Sequence, residues 1–224
     1  MTDTQIFEPD GRAIPYAVEG EGPALVLIAG QGLNVTYLAT LAGAVAAEDF
    51  RVVRIGSRRL PREADAAVSM SDLVQDVVAV MDHLEVADAW VGGHAFGGSV
   101  ARLVSHDHPE RVNGVLLLGV EEATQTSDTL DIAAIPEHWR DAEVESMLRS
   151  VREAAEPAAL APGIPVLVIQ GTDDRITPPA NGDRLQASAQ DRVSVVLVEG
   201  GGHMFPATHV GETSWAIEDY LDWD

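Results

Sequence analysis

The chain contains neither cysteine nor lysine. Without cysteine there is no disulfide, no thiolate nucleophile and no cysteine-bound metal. Without lysine there is no Schiff-base chemistry. Basic residues are scarce: 14 arginines stand against 36 acids, a net charge of −22. The missing lysine fits codon bias in a GC-rich genome. A field this negative repels nucleic acid and anionic membrane surfaces and favours solubility, though local arginines can still attract an anionic substrate. No uninterrupted apolar run is long enough to span a bilayer. The opening MTDTQIFEPDGR carries acids and no apolar core, so no secretion signal is expected and a cytoplasmic location is the simplest reading.

What is present suits one domain. A chain of 224 residues, 46% of them apolar, buries roughly 70% of its unfolded surface on folding. Short apolar runs alternate with amphipathic stretches, the pattern of a mostly parallel sheet with helices on both faces. Strands are expected at Ala24 to Ile28, Arg51 to Ile55, Trp90 to Gly92, Val112 to Leu118, Pro165 to Gln170 and Ser194 to Val198, with the very apolar Val112 to Leu118 at the sheet centre. Leu73, Val77, Val80 and Leu84 have helical spacing, which predicts a helix from Met70 to Leu84 capped by Ser69 or Ser71. A second helix should run to about His108, where Pro109 blocks it, and a terminal one from Trp215 to Leu221. The acidic, alanine-rich stretch of about 121–161 reads either as a short helical cap over one end of the sheet or as a plain connecting helix pair.

Three glycine-rich loops, each after a strand, carry the candidate chemistry, because ligands bind outside the carboxyl ends of strands in such sheets. The first is Gly93-His94-Ala95-Phe96-Gly97, where glycines permit a sharp strand-to-helix turn that presents the central residue. The helix that starts there aims its first amides and positive dipole end at the same spot. The second is Gly171-Thr172-Asp173-Asp174-Arg175-Ile176-Thr177-Pro178, and the third is Gly200-Gly201-Gly202-His203. Their order is elbow, acid, histidine.

On these loops, and over nearly its whole length, the chain resembles the α/β-hydrolase superfamily, in its small-molecule esterase, lactonase and epoxide-hydrolase-like branch. Asp76 and Arg58 match an aspartate and an arginine common before the elbow, and Gly30-Gln31 matches the oxyanion-hole turn. The resemblance implies His203 as base and Asp174 as the acid that orients it, with Asp173, then Glu121 or Glu122, as alternatives. It implies the amides of Gln31 and Phe96 as oxyanion donors. It departs at the centre, because Ala95 fills the nucleophile position, and a methyl group can neither attack carbon nor give His203 a proton. Ala29 and Gly56 also replace a histidine and an aspartate frequent in the family. Ser99, Ser57 and His94 are poorly placed to substitute, since geometry comes before identity.

Three readings of an alanine elbow follow. One is an enzyme that uses Asp174 and His203 as an acid–base pair with an oxyanion hole and no covalent nucleophile, on an ester, lactone or β-keto acid. Another is a serine esterase or lactonase silenced by a serine-to-alanine change at position 95. The last is a non-catalytic small-molecule binding protein. Leu33, His94, Trp139 and Met204, with Phe96, Met147 and Phe205, are expected to line a mainly apolar pocket. Among the other histidines, His106, His108, His138 and His209 form no convincing metal set with the acids, so no metal and no cofactor is expected. The expected partner is a small-molecule substrate, not nucleic acid or membrane, and the oligomeric state, a homodimer included, is left open.

Overall fold

The computed structural model describes residues 3–59, 68–122, 135–154 and 158–222. Its strands are β1 (Gln5–Phe7), β2 (Ile14–Glu19), β3 (Ala24–Ile28), β4 (Arg51–Ile55), β5 (Ala89–His94), β6 (Val112–Leu118), β7 (Val166–Gly171) and β8 (Val193–Val198). They form one sheet in the order β1-β2-β4-β3-β5-β6-β7-β8. From β4 to β8 all pairings are parallel, while β1 and β2 join antiparallel at one edge. The helices are α1 (Ala39–Ala46), α2 (Met70–His83), α3 (Phe96–Asp107), α4 (Ala142–Ala154), α5 (Pro179–Ser188), α6 (Phe205–Thr208) and α7 (Val210–Leu221).

Each face of the sheet has its own apolar core. Val26, Val53, Val91, Val115 and Val168 point one way, to α2, α3 and α4, with Val77, Val104 and Leu148 among the buried partners. Leu25, Leu27, Val52, Leu116 and Leu167 point the other way, to α1 and α7, with Leu41 and Ile217. The alternation along each strand is the period of two that a two-sided sheet requires.

Most expected elements sit where the pattern placed them. β5 runs two residues further, to His94, and α7 begins five residues earlier, at Val210. Ser69 rather than Ser71 caps α2: its hydroxyl accepts from the Asp72 amide while the Asp72 carboxylate accepts from the Ser69 amide. β6 lies inside the sheet between β5 and β7, one place off its middle. The β1–β2 pair, α1 and α5 carry no clear pattern in the sequence; β2 contains Pro15 and pairs antiparallel with both β1 and β4. The described part of 121–161 contains a short turn, Glu137–Trp139, and α4. Its start is pinned to the loop after β3 by Asn34 N–H to the Trp139 carbonyl at 2.9 Å and Asp141 N–H to the Gly32 carbonyl at 2.8 Å. Residues 123–134 and 155–157 of that stretch lie outside the described residues.

A buried ion pair ties the N-terminal edge to α2. Arg58 grips Asp76 through Nε at 2.6 Å and Nη2 at 3.0 Å, and Arg12 adds a contact at 3.2 Å. Burial pushes the Asp76 carboxyl above its usual range despite the two guanidinium groups. Among the described residues no helix is long and apolar enough to cross a membrane.

Candidate active site

The site assembles where β3, β5, β7 and β8 end on the same side of the sheet, with Ile28 in register with Gly93, His94 with Leu118 and Gly171 with Val198. The turn from β5 into α3 is tight. A Cβ on Gly93 would lie 2.3 Å from the Gly97 carbonyl carbon, and one on Gly97 would lie 2.3 Å from the Ile28 oxygen, so strand and helix approach only because both are glycine. Ala95 stands between them at φ 48° and ψ −111°. A non-glycine residue held there costs on the order of 1–3 kcal/mol. The turn is fixed by Ala95 N–H to the Leu118 carbonyl at 2.9 Å and by Gly98 N–H to the Ala95 carbonyl at 2.9 Å. The fold therefore keeps the strained elbow although the residue on it bears only a methyl group.

Asp174 and His203 meet. His203 Nδ1 is 3.0 Å from Asp174 Oδ2 and 3.2 Å from Oδ1. The carboxylate is buried and further held by the amides of Ile176 at 2.8 Å and Thr177 at 2.9 Å, and by the Thr177 hydroxyl at 2.6 Å. Burial alone would raise its pKa, but the hydrogen bonds from His203 and Thr177 outweigh that and hold it below the usual carboxylate range. Asp174 is thus an anion aimed at an imidazole. Asp173 is exposed and Glu122 pairs with Arg184 at 2.7 Å, so neither is in this role. Thr177, quoted in the loop but given no part, bridges the pair: its Oγ1 also lies 3.3 Å from His203 Nδ1.

The expected pocket residues divide. Trp139 and Met204 are half-buried and pack on the same apolar cluster. Leu33 is buried in that cluster rather than open to a pocket, and Phe205 is fully buried there too. His94 also departs from expectation: it is enclosed, because both ring nitrogens are engaged inside the fold. Its Nδ1 is 3.2 Å from the Tyr37 hydroxyl and its Nε2 is 2.9 Å from the His203 carbonyl oxygen. Burial first, and then the neighbouring His203, push its pKa down to about 3. Tyr37 lies 57 positions from His94 along the chain, so no spacing in the sequence marks their contact.

The amides of Gln31 and Phe96 donate to no acceptor among the described residues. Phe96 is the first residue of α3, where helical amides have no intrahelical partner. Of the three stand-in nucleophiles, Ser99 and His94 are engaged within the fold, and Ser57 lies on a loop beside the site. Ser99 donates to Glu121 at 3.1 Å, Ser57 lines a small mainly apolar recess with Phe96, Val77 and Asp76, and His94 is enclosed.

Comparison with known proteins fits this arrangement. A family described as alpha/beta hydrolase fold matches residues 23–152, and one described as TAP-like protein matches residues 138–222. The putative carbamate hydrolase RutD of Variovorax paradoxus is 31% identical over 108 residues, which are 46% of this chain and 41% of that protein. The 2-hydroxymuconate semialdehyde hydrolase of Pseudomonas sp. (strain CF600) is 35% identical over 105 residues, 45% of this chain and 37% of that protein. The chain thus spans about two-fifths of the length of these curated relatives. Among solved structures, a serine-to-alanine variant of the meta-cleavage product hydrolase CumD from Pseudomonas fluorescens IP01, complexed with acetates, superposes with a TM-score of 0.80 at 19% identity, covering 97% of each chain. The serine hydrolase CarC of carbazole degradation gives a TM-score of 0.80 at 17% identity over 100% of both chains. With a family match across more than half of its length on a sheet of this order, the chain belongs to the α/β-hydrolase-fold family.

Proposed function

We propose that the protein is an enzyme that transforms a small organic substrate, of ester, lactone or β-keto acid type, by proton transfer at His203 without a covalent nucleophile. The observation that carries this is the fully engaged Asp174 carboxylate, whose Oδ2 faces His203 Nδ1 at 3.0 Å. A buried anion is costly to keep, and here it orients one imidazole and fixes its tautomer, with the proton on Nδ1 and Nε2 left as the base. The relatives named as hydrolases of a carbamate and of 2-hydroxymuconate semialdehyde support a small substrate. The half-buried Trp139 and Met204 support an apolar one.

In hydrolysis, His203 Nε2 would take a proton from water as the water oxygen attacks the carbonyl carbon. Negative charge then gathers on the carbonyl oxygen, within reach of the Gln31 and Phe96 amides and the positive end of α3. Collapse of that intermediate breaks the bond to the leaving group, which receives the proton from His203. In a decarboxylation, the C–C bond to the carboxylate would break to release CO2, the same amides would hold the enolate oxygen, and His203, having taken a proton from water at Nε2, would deliver it to the carbon. The test is His203→Ala against a panel of p-nitrophenyl acetate, a γ-lactone and acetoacetate. Loss of about 10²–10⁴ in kcat on the accepted substrate is expected for removal of a general base. Unchanged turnover of every accepted substrate would end the proposal.

A second reading is favoured by one observation, the strained backbone of Ala95, which is a geometry that serves to present a nucleophile. In this reading alanine stands where serine acts, as in the serine-to-alanine variant among the structural neighbours. Ala95→Ser would then form an acyl-enzyme visible by mass spectrometry and raise ester hydrolysis by at least about 10³. No adduct and no gain would reject it.

A further inference from the structure

The enclosed histidine next to the elbow does work that the proton-transfer pair alone does not explain. The Gly30 N–H donates to the Tyr37 hydroxyl oxygen at 3.0 Å, the Tyr37 hydroxyl lies 3.2 Å from His94 Nδ1, and His94 Nε2 lies 2.9 Å from the His203 carbonyl oxygen. A carbonyl oxygen can only accept, so His94 Nε2 carries the proton. His94 Nδ1 then accepts from Tyr37, whose oxygen is free to accept from Gly30. Every donor runs one way, from the turn after β3, through the elbow, to the loop after β8. The opposite tautomer would set the bare Nε2 against a carbonyl oxygen, and a doubly protonated ring would leave the Tyr37 proton without an acceptor.

The surroundings enforce this. Tyr37 and His94 are fully buried, and burial raises the tyrosine pKa while it lowers that of the histidine. The His94 ring is faced by the Tyr37 ring at 5.8 Å, the His203 ring at 4.7 Å and the Phe205 ring edge-on at 6.3 Å, with the Asp174 charge behind His203. Gly30 cannot be larger without crowding His94, since a Cβ there would lie 3.2 Å from Nδ1.

We infer that His94, held as its neutral Nε2–H tautomer between the His203 carbonyl and the Tyr37 hydroxyl, is a positioning residue that anchors the His203 backbone and couples it to the Gly30-Gln31 turn. His203 is thereby held at two points, its ring by Asp174 and its carbonyl by His94. The inference rests on the proposed role of His203 for its catalytic meaning, yet its structural content is independent of any substrate.

The experiment is nuclear magnetic resonance of the ligand-free protein with ¹⁵N-labelled histidine, titrated between pH 5 and 9. One ring, assigned by its absence in His94→Gln, should keep a protonated Nε2 and a bare Nδ1 throughout. In Tyr37→Phe the Nε2 proton should stay, held by the His203 carbonyl, while the bare Nδ1 resonance moves as it loses its donor and the His203 Nδ1 proton shifts, with the exposed His106 unchanged. A His94 that titrates in this range, or carries its proton on Nδ1, overturns the inference, as does a His203 signal indifferent to Tyr37→Phe. Failure of His203→Ala to alter turnover would instead strike the proposed function and leave these signals as they are.

Discussion

Replacing Asp174 by asparagine keeps the shape of the side chain and changes only its charge and one oxygen. The Oδ1 oxygen retains the amides of Ile176 and Thr177 at 2.8 and 2.9 Å. The new amide nitrogen takes the place of Oδ2, which faces the Thr177 hydroxyl at 2.6 Å and His203 Nδ1 at 3.0 Å. Thr177 can turn its hydroxyl to accept, at little cost. His203 cannot adapt without giving up its Nδ1 proton, which moves to Nε2 and removes the base. The four charge-assisted contacts to the carboxylate become neutral ones, while the desolvation of a carboxylate is relieved, so stability should fall by only about 1–3 kcal/mol. Turnover should fall by about 10³–10⁴, the size of loss known for the equivalent wrong-tautomer change in serine proteases. That is about 4–5.5 kcal/mol of barrier. The assay is kcat on whichever substrate of the panel is accepted, beside a denaturant melt of both proteins. A variant that stays folded and keeps activity within about tenfold would refute the argument that Asp174 acts by fixing the His203 tautomer.

Two further outcomes concern stability. The folded pKa of His94 is depressed to about 3 against about 6.5 when unfolded, so below pH 6.5 the unfolded chain binds a proton that the folded one refuses. Stability should therefore drop by about 1.4 kcal/mol per pH unit from this group as pH falls from 6.5 toward 3, and urea melts at pH 7 and pH 5 in wild type and His94→Gln would reveal it; equal pH dependence in both would count against it. Arg58→Met should cost about 3–5 kcal/mol in a denaturant melt because it strands the buried Asp76 carboxylate with only Arg12 beside it, and a double change with Asp76→Leu should recover part of that loss.

Architecture and loop order were legible in the chain's own pattern of residues. The short, mainly apolar runs Ala24–Ile28 and Arg51–Ile55, the Leu73-Val77-Val80 stripe and the glycines around Ala95 are local patterns, and local patterns are what periodicity and turn chemistry encode. The alanine at the elbow was equally legible, because it is one residue in a motif of fixed spacing. Asp173 and Asp174 are neighbours along the chain, and it is folding that separates them into an exposed and a buried carboxylate. It also decided that His94 and Leu33 sit inside the fold and that β1 and β2 close the sheet edge. The Tyr37–His94–His203 chain joins residues 57 and 109 positions apart, contacts that no window along the sequence can contain. Burial and hydrogen-bond partners are properties of what surrounds a residue in space, and those surroundings exist only once the strands are laid side by side.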